Sequence, residues 1–222
     1  MNFSQSEENY LKTIFHLQGE KESVSTNELA NKLKAKPASI TDMTKKLSAK
    51  GLLHYKPYYG FFLSVEGKKV AVGIIRRHRL WEFFLSKKLG FDWNEVHAVA
   101  EELEHVSNKK LVDKLDEYLG FPEFDPHGDP IPDSTGKIKT RNKIPLDQLP
   151  LNKWVTVCRV SNQSVEMLEL LQHKKINIGT ELEVKKYFDF DHSLQVKIKP
   201  NKIETISEQL AKNIFVTYEI NE

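Results

Sequence analysis

Pro37 and Gly51 bracket a lysine-rich stretch in which Ile40, Met43, Thr44 and Leu47 recur at i, i+3, i+4 and i+7. This bracket limits the fold more than any other feature of the chain, because it marks both ends of one short amphipathic helix. Just ahead, Ser25-Thr26-Asn27-Glu28 before Leu29 offers the N-cap chemistry of another short helix, over about 26–33. The break Lys34-Ala35-Lys36-Pro37 joins the two. Two short helices around a tight turn, the second basic, describe a helix-turn-helix. The run from Leu52 to Ser64 then reads as strand, glycine-containing turn and strand, the hairpin wing of a winged helix.

Charge supports that reading. Residues 32–56 hold seven lysines against one acid, Asp42, whereas residues 92–133 hold twelve acids against three lysines. A basic surface attracts nucleic acid or an anionic membrane face. In such a helix Ala38, Ser39, Thr41 and Asp42 lie at the N-terminal end, where base edges are reached. Lys36, Lys45, Lys46 and Lys50 would meet phosphates, and Tyr58 and Tyr59 on the wing touch backbone or simply pack. A winged helix also serves as a protein-interaction module, and this pattern alone leaves that alternative open.

The remaining elements follow from periodicity and punctuation. Residues 5–19 read as an amphipathic helix through Tyr10, Leu11, Ile14, Phe15 and Leu17. A long helix covers about 65–89, ended by Gly90. Asp92 and Glu95 form a box-like start for a helix over about 93–106, and another, over about 108–119, stops at Gly120. Residues 121–150 carry six prolines and no helical period, an extended connector with a rigid HGDPIP stretch. From Lys153 the pattern turns to strands at 154–160, 180–187, 194–198 and 214–220, with a short helix near 165–173. Short strands over so few residues suggest a small β-barrel.

The acidic segment holds the second informative pattern. At about 100° per residue, Glu104, His97, Glu101 and His105 fall within an arc of about 100° on one helix. Val96, Val99, Ala100, Leu103 and Val106 occupy another arc, so the polar stripe borders the core. On the preceding helix His78 and Glu82 stand at i, i+4. Imidazole and carboxylate donors without thiolate suit Mn(II), Fe(II), Co(II) or Zn(II). A solvated helical face has the same composition, and the spacing alone leaves both readings open.

Taken together, ENYLKTIFHL at 8–17, STNELANKLKAKPASITDMTKKLSAKGLL at 25–53, RRHRLWEFFL at 76–85, VHAVAEELEHV at 96–106 and HGDPIP at 127–132 carry a resemblance. The chain resembles the metal-dependent repressors of the diphtheria toxin repressor and manganese transport regulator family over its whole length. The resemblance implies a mainly α protein with small β parts. Residues 1–72 would form the winged helix-turn-helix. Residues 73–140 would form a helical metal-binding and dimerisation domain with the connector, and residues 150–222 an SH3-like (FeoA-like) small barrel. It also implies a homodimer bound to palindromic operator DNA.

By the same resemblance His78, Glu82 and His97 match one metal site, and Glu101, Glu104 and His105 a second. Asn9 stands where the N-terminal helix adds a ligand to that second site, a place held by Met in iron-type members and Asp in manganese sensors. Lys12 occupies a further carboxylate position of the manganese sensors, and a charged lysine cannot ligate. Gln163 and Glu166 match positions from which the SH3-like domain lends ligands to the first site. Glu101 in place of the iron-type cysteine favours Mn(II) over Fe(II), while His97 follows the iron-type pattern.

Two rival classes are weighed against this. A metal-dependent hydrolase would use the same His and Glu residues, but the chain has no HExxH, no G-x-S-x-G and no phosphate-cradling glycine loop. A metal-independent winged-helix DNA binder would make no use of the stripe. One cysteine, Cys158, rules out an internal disulfide framework. No run approaches the ~18 apolar residues of a membrane span. The polar N-terminus is unlike a secretory signal, so the expectation is a cytoplasmic protein with no membrane partner.

Overall fold

The structure, a computed structural model, describes residues 3–19, 21–56, 59–106 and 108–217, without the side chain of Val106. Tyr58 and the end of the last expected strand, 218–220, lie outside the described residues. Contacts divide the chain into two compact units. One comprises Met1–His78, Glu101–Asp113 and Pro132–Lys137; the other comprises Arg79–Ala100, Lys114–Ile131 and Ile138–Glu222.

In the first unit, α1 (Gln5–Gln18) and α2 (Thr26–Leu33) each begin with a capping box. Ser4 and Ser25 accept the backbone N–H of Glu7 and Glu28, whose carboxylates reach back to the cap N–H groups. Lys34 ends α2 in the left-handed region, and Pro37 opens α3 (Pro37–Ala49) at its first turn. Ile40 and Leu47 of α3 are fully buried against Leu11, Ile14, Val24, Leu29 and Ile74. That burial turns the opposite face of α3 outward. The wing is an antiparallel hairpin of β1 (Leu53–Lys56) and β2 (Gly60–Leu63), paired from Leu53–Leu63 to Lys56–Gly60. Phe61 also exchanges backbone hydrogen bonds with Val24, at 2.8 and 3.0 Å. This close approach demands glycine next door: Gly60 has φ +111°, and a Cβ there would lie 2.1 Å from the Val24 carbonyl oxygen. The long helix α4 (Val65–Leu89) starts immediately after the wing.

The helix α5 (Val96–Val106) begins later than the sequence suggests, because residues 93–95 form a turn closed by the Asp92 carbonyl. The sixth helix, α6 (Lys109–Leu119), lies where expected. In the second unit the connector is more ordered than its prolines suggest. Asp125 Oδ1 accepts the backbone N–H groups of His127 and Asp129 at 2.8 and 2.9 Å, and the Val160 N–H donates to the His127 carbonyl.

The β part is an antiparallel sheet of β3 (Lys143–Pro145), β4 (Val155–Val160), β5 (Glu181–Tyr187), β6 (Leu194–Ile198), β7 (Lys202–Ile206) and β8 (Ile214–Thr217). Its strand order is β3-β8-β4-β5-β6-β7. The small β domain of the sequence reading is present, but among the described residues its sheet stays open where closure into a barrel was expected. Edge strand β3 is three residues long and ends in Pro145, which has no N–H to donate to another strand. Helices α7 (Val165–Lys174) and α8 (Glu208–Lys212), with the turn at Leu146–Gln148, bring Leu146, Leu149, Leu168, Leu171 and Leu210 into the same core as the sheet. Strands β3 and β7 and helix α8 are absent from the sequence reading, being too short or too polar to carry a period.

Gly60→Ala should destabilise the protein by about 1–3 kcal/mol, the cost of a strained backbone position. Urea unfolding measures it, and an unchanged midpoint would contradict the close approach to Val24.

Candidate metal centre

Three helices of the first unit converge on carboxylates and imidazoles. From α5 come Glu101, Glu104 and His105, with one ligand atom of each within 4.8 Å of the others. From α4 comes His78, whose Nδ1 lies 2.7 Å from Glu104 Oε2. From α1 come Glu8 and Lys12. Glu8 meets His105 Nδ1 at 2.6 Å and accepts from Arg77 at 2.7 Å. Lys12 Nζ donates to Glu101 at 2.9 Å and to Glu104 at 2.7 Å. Glu104 is 0% exposed. Burial by itself would raise its carboxyl pKa, yet the His78 ring and the Lys12 ammonium hold it below the ordinary value. Asn9 Oδ1 is buried with no hydrogen-bond partner among the described residues.

His78 and Glu82 stand one turn apart on α4, and His97 and Glu101 one turn apart on α5. In the second unit, buried Glu82 lies 3.1 Å from His97 Nδ1 and 3.9 Å from His127 Nε2. The fully buried His127 ring stacks on Trp93 with centroids 5.5 Å apart. Burial pushes the Asp125 carboxyl well above its ordinary pKa, Glu82 and Asp129 add to that, and Arg79 at 3.6 Å opposes it. Neutral or anionic nitrogen and oxygen donors of this kind fit a first-row divalent ion. Gln163 donates to Asp129 at 2.8 Å, and Asp129 also accepts from Arg159 at 2.6 Å. Glu166 is exposed in the first turn of α7, a place that suits a carboxylate without any metal.

On α3, Lys36, Ala38, Ser39, Thr41, Asp42, Lys45 and Lys46 are exposed, while Lys50 is half-buried. Lys50 and Lys46 reach back to the buried carboxylate of Glu7, at 2.6 and 3.2 Å. The Lys50 hydrogen bond is the main reason the Glu7 pKa falls to about 2, against the opposing effect of burial. Lys50 thus spends part of its charge inside the fold.

Sequence profiles of known families cover most of the chain. Residues 2–61 match the iron dependent repressor N-terminal DNA binding domain, and residues 64–133 match the iron dependent repressor metal binding and dimerisation domain. Residues 144–218 match the FeoA domain. A solved structure, a manganese-dependent transcriptional repressor in complex with manganese, superposes with a TM-score of 0.86 at 31% identity. The match covers 96% of this chain and all of that one. The chain belongs to the iron-dependent repressor family. Among other members of the family, the diphtheria toxin repressor of Corynebacterium glutamicum is 27% identical over 188 residues, 80% of this chain and 82% of its own. The iron-dependent repressor IdeR of Mycobacterium tuberculosis is 31% identical over 125 residues, 56% of this chain and 54% of its own.

Within this family member the sequence reading overlooked Glu8, Asp125, His127 and Asp129. Glu8 sits beside Asn9 on α1, where one step of 100° decides which residue meets His105. His127 and the aspartates come from the proline-rich connector, which has no period to show which side chains turn inward.

Glu104→Ala should cost about 3–5 kcal/mol in metal-free protein, the penalty for stranding one member of a buried ion pair. Denaturant unfolding in chelator measures it. A loss below about 1 kcal/mol, the scale of an exposed pair, would contradict the pairing.

Proposed function

We propose that this chain is a transcriptional repressor that binds palindromic operator DNA as a homodimer once a divalent metal is bound, with Mn(II) favoured over Fe(II). The observation that carries this reading is the helical pair α4 and α5: α4 grows directly out of the wing, and its Glu82 meets His97 of α5. The sensing donors are Glu82 and His97, with His78 one turn before Glu82. A divalent ion held there would supply positive charge to draw donors from two helices together. The helix bearing the wing is then fixed against its neighbour, and binding to one arrangement only shifts the population toward it. Residues 1–72 act as the reading head, 73–140 as the metal-binding and dimerising part, and 150–222 as the SH3-like appendage.

Ala38, Ser39, Thr41 and Asp42, at the N-terminal end of α3, face base edges, and Lys36, Lys45 and Lys46 meet phosphates. The protein acts as a binding switch and not as an enzyme, and its DNA partner puts its work in the cytoplasm. Among the described residues no helix is long and apolar enough to cross a membrane.

Mn(II) should raise operator affinity by about tenfold or more, a usual size for allosteric coupling. The double variant Glu82→Gln/His97→Ala should keep its fold, by circular dichroism, and lose that response. A gel shift equally strong in chelator would remove metal control from the account. Separately, Lys45→Ala should weaken all operator sequences alike and reduce the salt slope by about 1. Loss confined to one base pair would make Lys45 a base reader.

A further inference from the structure

The second donor set is already provided with a cation. Lys12 Nζ lies 2.9 Å from Glu101 and 2.7 Å from Glu104, and its side chain is 12% exposed. Around it each carboxylate has a partner: Glu8 takes Arg77 and His105, and Glu104 takes His78 as well as Lys12. We propose that the Lys12 ammonium is the resident cation of the Glu101–Glu104–His105 cluster, so that this chain binds one divalent ion, at Glu82 and His97, and not two.

The ammonium bridges both carboxylates at charge-assisted hydrogen-bond distance, so the space between them that an ion would fill holds nitrogen. Lysine has three donors and no lone pair while charged, so it repels a divalent ion instead of ligating it. The ammonium is covalently part of α1, so the cation in this contact with α5 cannot leave the protein, where a metal would be exchangeable. A mobile ion at this place would switch the α1–α5 contact on and off; a lysine leaves it closed at every metal concentration. Metal control then falls to the other donor set. The inference rests on the metal-sensing reading proposed above.

Equilibrium dialysis of the full-length protein against Mn(II), with metal counted by mass spectrometry, tests it. Wild type should hold about one ion per chain, lost in Glu82→Gln/His97→Ala and kept in His105→Ala. Lys12→Met, which removes the ammonium and keeps the length of the side chain, should hold about two, the second lost again in Lys12→Met/His105→Ala. Lys12→Arg should stay at about one. Two ions in wild type, or a single ion lost in His105→Ala, would overturn the role of Lys12 while leaving metal sensing in place. One ion in a folded Lys12→Met would overturn it as well. No ion bound to wild type would take down both readings. The wild-type, Glu82→Gln/His97→Ala and His105→Ala results decide the question even if Lys12→Met fails to fold.

Discussion

A carboxylate stripped of water has to be answered by positive charge, and Glu104 imposes that condition on three helices at once. Its oxygens meet Lys12 from α1 and His78 from α4, and α5 carries it between them. Desolvating an ion costs several kcal/mol, a debt that only close and well-aligned partners offset. The neighbouring set repeats the pattern one layer out, with Glu8 held between Arg77 and His105. The relative placement of α1, α4 and α5 in the first unit therefore follows from charge pairing as much as from apolar packing.

The same helix α1 also faces α3. Glu7 takes Lys50 and Lys46 of α3, while its neighbour Glu8 and then Lys12 turn toward Arg77, His105 and the α5 carboxylates. Adjacent residues on one helix thus link the donor cluster to α3 by ion pairs to nearly buried carboxylates, Glu7 at 2% and Glu8 at 13% exposed. Salt screens the Glu7–Lys50 pair less than the more exposed Glu7–Lys46 pair, so α1 acts as a strut. Opposite that strut, α3 leaves Lys36, Lys45 and the small residues of its first turn in solvent.

Much of this was legible in the linear chain. The bracket of Pro37 and Gly51, the cap chemistry of Ser25 to Glu28, and the 3.6-residue spacing of apolar side chains located α1 to α6 within a few residues. Those signals are local: a cap, a proline or a periodic stripe acts within one or two turns of itself, so it survives in one dimension. The stripe of His97, Glu101, Glu104 and His105 was readable for the same reason. The short edge elements β3, β7 and α8 were not, since so few residues show no period, and their existence depends on the neighbours that pair with or cover them. The open sheet likewise depends on how two distant edge strands end.

The sequence by itself determined which helices form, which of their faces are apolar, and that imidazoles and carboxylates share one stripe. Only the tertiary structure decided which charge answers which. That Lys12 lies across Glu101 and Glu104, that Glu8 and not Asn9 meets His105, and that Gln163 turns to Asp129 depend on pairs separated by 34 to 97 positions in the chain. Such pairings are set by the angle and register at which whole helices pack, and a rotation of a single residue step, about 100°, would exchange one partner for another.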